Sequence, residues 1–146
     1  MAEWLLPSLI ATLTSTLVLS SVYFYLYICD RHRYLLIWSC GWVLYALRFA
    51  LMLVLVAAPA PAFAKLLSAG NQLAALLSGV MLLWGTYRFR QKTIPAIWFL
   101  LLALVSIWIV VGSFTDAGFL ALTLPNYLFL GVVYVQTGIV VVKMHK

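Results

Sequence analysis

The chain has 146 residues, of which 66% are hydrophobic and only 8% charged, and its formal net charge is +6. Its mean hydropathy is +1.13, whereas ordinary soluble domains carry roughly 25% charged residues. This balance excludes a soluble globular domain and predicts an all-α integral membrane protein. The positive charge does not indicate nucleic acid, because the cations stand at the ends of apolar runs, where a membrane explains them. We therefore expect a lipid bilayer, and no nucleic acid, around the chain.

Five apolar runs are long enough to cross a bilayer, since about 20 helical residues span a hydrocarbon layer of roughly 30 Å. The first run carries several Ser and Thr hydroxyls, which can bond back to their own helix or across to a neighbour. Pro59 and Pro61 end the second run, because proline interrupts a helix. Small residues four apart in the third run favour close helix contact. The predicted spans cover about 4–29, 34–58, 65–87, 94–113 and 118–142, within one transmembrane domain, 1–146.

Basic residues predict the orientation, because cytoplasmic loops carry an excess of Lys and Arg. Seven of the nine cations lie on one predicted side: Arg31, Arg33, Arg88, Arg90, Lys92, Lys143 and Lys146. The other side has Glu3, Lys65 and Asp116. We therefore expect the N-terminus outside, the C-terminus in the cytoplasm, and several passes through the membrane. The connections are short, which predicts an antiparallel up-down bundle of consecutive helices.

Arg48 is the strongest single signal in the chain, because it is a charge inside the second apolar run. It follows Leu35 by thirteen residues, or about 20 Å of helix, so it lies about two-thirds of the way across the bilayer. A charge at that depth is costly unless it is paired or reaches water. One interpretation is a cation facing a cavity for an anionic or polar ligand. The alternatives are snorkelling to the outer interface and pairing with Asp116.

Aromatic residues share a helix face with Arg48, since Trp38, Trp42 and Tyr45 recur at three- and four-residue spacing. They could stack on a planar ligand or a lipid headgroup. Packing against another helix is the alternative, and Gly41 between the two tryptophans favours it.

Three amides are further candidates for ligand binding. Asn71 and Gln72 lie near the predicted start of the third span, and Asn126 follows Pro125 in the fifth. Proline breaks the hydrogen-bond ladder of its helix, so we expect the Asn126 amide to satisfy the freed carbonyl, with a ligand site there as the alternative.

No pattern in the sequence indicates catalysis, a metal or a cofactor. The two histidines, His32 and His145, both fall outside the predicted spans, which argues against a haem held by two histidines. None of the spans holds an acidic residue for proton or cation coupling, which weakens a transporter interpretation. We expect no enzymatic activity, no cofactor and no bound metal.

Residues 31–49 carry a recognisable pattern, Arg-x-Arg-Tyr-Leu-x-x-Trp-x-x-Gly-Trp-x-x-Tyr-Ala-x-Arg-Phe. It resembles the start of the N-terminal multi-helix membrane sensor region of bacterial signalling proteins, which precedes cytoplasmic PAS, histidine-kinase or diguanylate-cyclase modules. The match is specific over about twenty residues of the sequence and generic elsewhere. The residues that carry it are Arg33, Tyr34, Leu35, Trp38, Gly41, Trp42, Tyr45 and Arg48.

The resemblance implies more helices than five and a following output domain. Three interpretations of the end at Lys146 stay open: a sensor domain excised from a longer protein, a truncated gene product and a stand-alone relative. In the last two cases the resemblance implies no kinase or cyclase function.

The first functional hypothesis is a membrane-embedded sensory or input domain that passes a stimulus to a cytoplasmic signalling partner or appended domain. The second is a small accessory subunit of a larger membrane complex, and a small transporter or channel is the third. Partners expected besides lipid are a second copy in a homodimer, a larger membrane complex, or a cytoplasmic signalling module.

Overall fold

The computed structural model describes residues 4–57, 61–115 and 117–142, and it is all-helical within these ranges. The first and fifth helices begin and end within one residue of the predicted spans. The third begins at Pro61, earlier than predicted, and the fourth begins at Ile97, later than predicted. The helices are α1 (Leu5–Asp30), α2 (Arg33–Ala57), α3 (Pro61–Phe89), α4 (Ile97–Phe114) and α5 (Phe119–Val142).

The late start of α4 follows from Pro95. The residue before a proline is driven away from helical dihedrals, so residues up to Pro95 do not join the helix. Trp98 N–H instead bonds the Pro95 carbonyl at 3.2 Å as the helix begins. The predicted start of this span at residue 94 is therefore three residues too early.

All five helices have the length and composition of membrane spans. The most apolar windows of these helices have mean hydropathies between 1.5 and 2.5. The lengths run from 18 residues in α4 to 29 in α3, and a span needs about 20. The all-α class and the number of apolar segments that fit a membrane are confirmed.

Helix α3 is the centre of the packing. It contacts α2, α4 and α5, while α4 also contacts α5 and α1 contacts α2 alone. Consequently 56% of the residues in the 18-residue apolar window of α3 are buried, whereas the corresponding share in the other helices is 11% to 28%. The described helices thus form an open arrangement, with α1 at one edge, rather than a closed ring.

Small residues let the other helices approach α3 closely. Ala75 and Ser78 are fully buried, and Leu130 of α5 packs over Gly79, where a Cβ would lie only 2.6 Å from its Cδ2. On the opposite side Leu51 of α2 packs over Gly70. The small-residue spacing predicted to favour helix contact in this run is therefore used by α2 and α5.

Serine hydroxyls join α1 to α2. Ser20 Oγ donates to the Ser39 carbonyl at 3.1 Å, and Ser39 Oγ donates to the Ser20 carbonyl at 3.0 Å. Most other hydroxyls of α1 bond back to their own helix, as Thr14 does to the Ile10 carbonyl. Both predicted uses of these hydroxyls occur, and only the buried Ser20 reaches a neighbouring helix.

The proline break in α5 is repaired by a tryptophan from α4. Pro125 has no N–H to donate to the Ala121 carbonyl one turn earlier. The indole Nε1–H of Trp108 donates to that carbonyl at 2.9 Å. The prediction that the Asn126 amide satisfies the freed carbonyl is wrong, because its Nδ2 donates to Gln72 instead.

The two basic loops and the end of α5 lie at the same end of the protein. Tyr34, just after the first basic loop, packs edge-on against Phe89 before the second, with ring centroids 4.9 Å apart. Arg90 Nη1 donates to the Val140 carbonyl near the end of α5 at 3.1 Å. Lys143 and Lys146, which were predicted on this side too, lie outside the described residues.

Candidate functional site

Trp38 is the member of the predicted aromatic face that packs most closely on α3. Its indole Nε1–H donates to the Leu82 carbonyl at 3.2 Å, and its ring lies directly over Gly85. Tyr34 and Tyr23 pack against the same ring edge-on, at centroid distances of 5.3 and 5.6 Å. These contacts hold Trp38 in a helix interface, which supports the packing interpretation for this residue.

Trp42 and Tyr45 lie further along α2, next to Arg48. The Trp42 and Tyr45 rings meet edge-on at 5.9 Å, and Tyr45 meets Phe49 in the same way at 5.2 Å. The Arg48 guanidinium carbon lies 5.8 Å from the centroids of both Tyr45 and Phe49. This is within the range in which an arginine is attracted to the face of an aromatic ring.

The Arg48 guanidinium has no hydrogen-bond or ion-pair partner among the described residues. The side chain is half-buried, and its Nε is enclosed without an acceptor. Asp116, the pairing partner considered from sequence, lies outside the described residues. A guanidinium carries five N–H donors, so the aromatic contacts leave its hydrogen-bonding capacity free for an acceptor from a ligand, lipid or water.

Two of the three candidate amides are buried, and the third, Asn71, is half-buried. Gln72 and Asn126 are 7% and 4% exposed, and Asn126 Nδ2 donates to Gln72 Oε1 across a long 3.5 Å. The Oδ1 atoms of Asn126 and Asn71 are enclosed with no donor. Buried polar atoms are nearly always paired, so these two acceptors can each take a donor that the described side chains do not supply.

Arg48 and the amides stand at one level of the protein. Leu51 of α2 packs over Gly70 of α3, and Gly41 of α2 packs against Met81 and Leu82, further towards the end of α3. Arg48 lies between these two contacts, one turn from Leu51, so it stands beside the α3 segment that begins with Asn71. The bond between Gln72 and Asn126 places α5 at the same level. The structure thus brings Arg48 and the three amides to a common depth on α2, α3 and α5.

Tyr134 belongs to this group, and the sequence interpretation missed it as a site residue. Although α2 and α5 share no backbone contact, Tyr134 of α5 lies near Tyr45 and Arg48 of α2. It lies about two turns after Asn126, but it is 45% exposed whereas Asn126 is buried, so it stands at the edge of that helix face. A tyrosine two turns from a candidate amide is the sequence signal that could have identified it. We call Tyr45, Arg48, Asn71, Gln72, Asn126 and Tyr134 the polar group.

The polar group presents hydrogen-bonding atoms of both kinds. It combines unpaired arginine donors with unpaired amide acceptors, so it can bind a ligand that carries both an acceptor and a donor. It contains no carboxylate, thiol or imidazole that could act as base or nucleophile. Among the described residues, His, Cys, Asp and Glu side chains form no group of three or more able to hold a metal ion.

Comparisons with known proteins do not assign the chain to a family. No protein-family model, curated protein sequence or solved structure matches it.

Proposed function

We propose that the chain is a sensory or input domain in a bacterial inner membrane, with no enzymatic activity of its own. The N-terminus lies outside and the C-terminus in the cytoplasm. A ligand binds the polar group and changes the position of α5. Helix α5 then transmits this movement to a cytoplasmic signalling partner or appended domain. The sequence resemblance over residues 31–49 supports this class of function.

Contacts at the helix interfaces support the proposed up-down arrangement. Trp38 packs over Gly85 and Leu51 over Gly70, so residue numbers rise in α2 as they fall in α3, which is the pattern of antiparallel neighbours. In α3 and α5 the numbers rise together, because Gln72 bonds to residue 126 and Tyr87 to residue 136. Parallel α3 and α5 are expected when α4 runs between them in the opposite direction.

The charge at each end supports the proposed orientation. The loops and adjoining helix turns at the end where Tyr34 meets Phe89 carry one carboxylate, Asp30, against five cations, namely Arg31, Arg33, Arg88, Arg90 and Lys92. Such a concentration of positive charge in short loops is typical of the cytoplasmic side. The same end holds the last turn of α5, which therefore leads into the cytoplasm.

The observation that carries the sensory proposal is a set of unpaired polar atoms on three helices, namely Arg48 Nε, Asn71 Oδ1 and Asn126 Oδ1. A ligand can shift a conformational equilibrium only if it binds two arrangements with different affinity. A ligand that pairs Arg48 and the amides of α3 and α5 at once binds best when these helices hold one spacing. Binding therefore favours one position of α5 relative to α2 and α3.

The alternative proposal is a small accessory subunit of a larger membrane complex. Its supporting observation is α1, which contacts α2 alone and has only 17% of its apolar window buried. A larger subunit could pack along this edge without displacing any described helix contact.

Extraction from native membranes in mild detergent, followed by size separation and mass spectrometry, tests the two proposals. We expect the chain to travel with a cytoplasmic signalling module, either as a separate protein or as part of the same polypeptide. Migration with a fixed set of larger membrane subunits that lack signalling modules would replace the sensory proposal with the accessory one. The Arg48→Gln variant is the control. It removes a charge from the polar group, and if it folds normally it should co-purify with the same proteins.

A further inference from the structure

A second candidate site lies at the basic end of the protein, away from the polar group. A cavity of about 550 Å³ opens between the α1–α2 loop and the α3–α4 loop. Three cations line it: Arg33 from the start of α2, Arg88 from the end of α3, and Lys92 from the loop that follows. Two segments distant in sequence therefore supply positive charge to one cavity.

No acidic residue among those that the structure describes lines this cavity. Asp30, which ends α1 three residues before Arg33, forms no ion pair with its cations. Arg33, Arg88 and Lys92 have no ion pair or side-chain hydrogen bond with any residue that the structure describes, whereas neighbouring Arg90 bonds the Val140 carbonyl. Three like charges at close range repel one another, and an anion between them would remove that repulsion.

Aromatic side chains make one wall of the cavity. The His32 and Tyr34 rings are stacked at 5.4 Å with an interplanar angle of 18°. Tyr34 in turn packs edge-on against Phe89, with centroids 4.9 Å apart. These ring contacts connect the two segments that supply the cations.

The second loop is held by its own backbone. Gln91 adopts a left-handed conformation with φ of 55°. Its N–H bonds the Arg88 carbonyl at 3.0 Å, and the N–H of Lys92 bonds the Tyr87 carbonyl at 2.9 Å. These two bonds form the Schellman motif that closes α3, so Arg88 and Lys92 start from an ordered backbone.

We propose that this cavity binds a phosphate group. Arginine presents paired N–H donors that match phosphate oxygens, and lysine adds a compact positive charge. The cavity lies at the helix ends, where the phosphates of a lipid leaflet stand and where basic pockets bind anionic headgroups. The phosphate can come from an anionic phospholipid or from a phosphate-bearing solute on the same side. The proposal does not depend on the sensory function.

Native mass spectrometry of the full chain in detergent tests the proposal, with phosphatidylglycerol and phosphatidylcholine added in equal amounts. We expect selective retention of phosphatidylglycerol. Arg88→Gln should reduce it about tenfold, because it removes a charge-assisted hydrogen bond to the phosphate. Arg31→Gln is the matched control, because it removes one charge from the same end but not from the cavity lining, and it should leave retention unchanged. The variant R33Q/R88Q/K92Q should abolish selectivity.

Inorganic phosphate, added as a competitor, identifies the source of the ligand. Displacement of the bound lipid would support the site and assign it to a phosphate-bearing solute. Selective retention without displacement would support the site and assign it to the lipid headgroup. Equal losses in Arg31→Gln and Arg88→Gln would overturn the proposal in favour of diffuse attraction. The single variants keep the test decisive if the triple variant fails to fold.

Discussion

Gly85 shows how a single residue controls the contact between α2 and α3. A Cβ at this position would collide with the Trp38 indole, at Cδ1 and Nε1. The same Nε1 donates to the Leu82 carbonyl, so the ring cannot move aside without losing its hydrogen bond. The absence of a side chain at residue 85 is therefore required by the position of Trp38.

We predict that Gly85→Ala lowers the free energy of unfolding by about 1–3 kcal/mol, because overpacking displaces the Trp38 ring. Gly131→Ala is the matched control, since a Cβ there meets nothing within 4 Å. It should be neutral or stabilising by up to about 1 kcal/mol, as alanine is the better helix former. Thermal unfolding in detergent, followed by tryptophan fluorescence, measures both. Equal destabilisation by the two changes would contradict the role given to Gly85.

The sequence showed which polar side chains lie within the predicted spans. It did not show which hydrogen-bond partners these side chains have. The depth of Arg48 follows from its distance to the basic loop, and its lack of an acceptor could only be seen in three dimensions. Likewise the bond between Gln72 and Asn126 joins helices whose contact depends on the packing of the whole chain. Tyr134 was missed because a tyrosine in an apolar run is unremarkable until its neighbours are known.

At the scale of helices, the pairing of Trp108 with the proline-broken α5 is a device for keeping a helix intact in lipid. An unpaired carbonyl is expensive in hydrocarbon, where water cannot satisfy it. Trp108 is 49% exposed, so burial of the indole alone does not explain its position. Its bond to the Ala121 carbonyl ties α4 to α5 at the break.

We expect Trp108→Phe to lower the free energy of unfolding by about 1–2 kcal/mol, because it leaves the Ala121 carbonyl without a donor. In a Pro125→Ala background the same change should cost less than half as much, since the residue 125 N–H can then donate to that carbonyl. Chemical unfolding in detergent micelles gives the four values of this cycle. Additive effects of the two substitutions would show that the indole bond does not compensate for the proline.

The helix boundaries were largely predictable because charges, prolines and apolar length act locally. The start of α4 differed because the backbone restriction before Pro95 outweighed the apolar pattern. The repair of α5 was not predictable, since the donor comes from another helix. Asn126 was the nearest amide in sequence, whereas Trp108 is the donor that the packing brings within reach.

At the scale of the whole molecule, short loops explain why consecutive helices are neighbours, but they do not explain why α3 is central. The small residues of α3 permit close approach on both sides, and that pattern was visible in the sequence. The contact between α3 and α5 and the isolation of α1 from all helices but α2 depend on side-chain fit across several interfaces. The predicted bundle of consecutive helices therefore described which helices are neighbours in the chain, but not which helix is central.

The sensory proposal requires that the basic loops face the cytoplasm. Cys29 and Cys40 are both exposed, and Cys29 lies at the end of α1 beside the first basic loop, whereas Cys40 lies inside α2. A maleimide reacts with a thiolate in water, so Cys29 should be accessible and Cys40 shielded by lipid. Thr115, at the end of α4, is exposed at the opposite end and supplies a position for a second label.

The most direct measurement is labelling of intact and lysed spheroplasts with a membrane-impermeant maleimide. The chain with Cys40→Ser should react at Cys29 only after lysis. The chain with Thr115→Cys, in which Cys29 and Cys40 are serines, should react in intact spheroplasts. Labelling of Cys29 from outside, or of both positions from the same side, would contradict the orientation on which the sensory proposal depends.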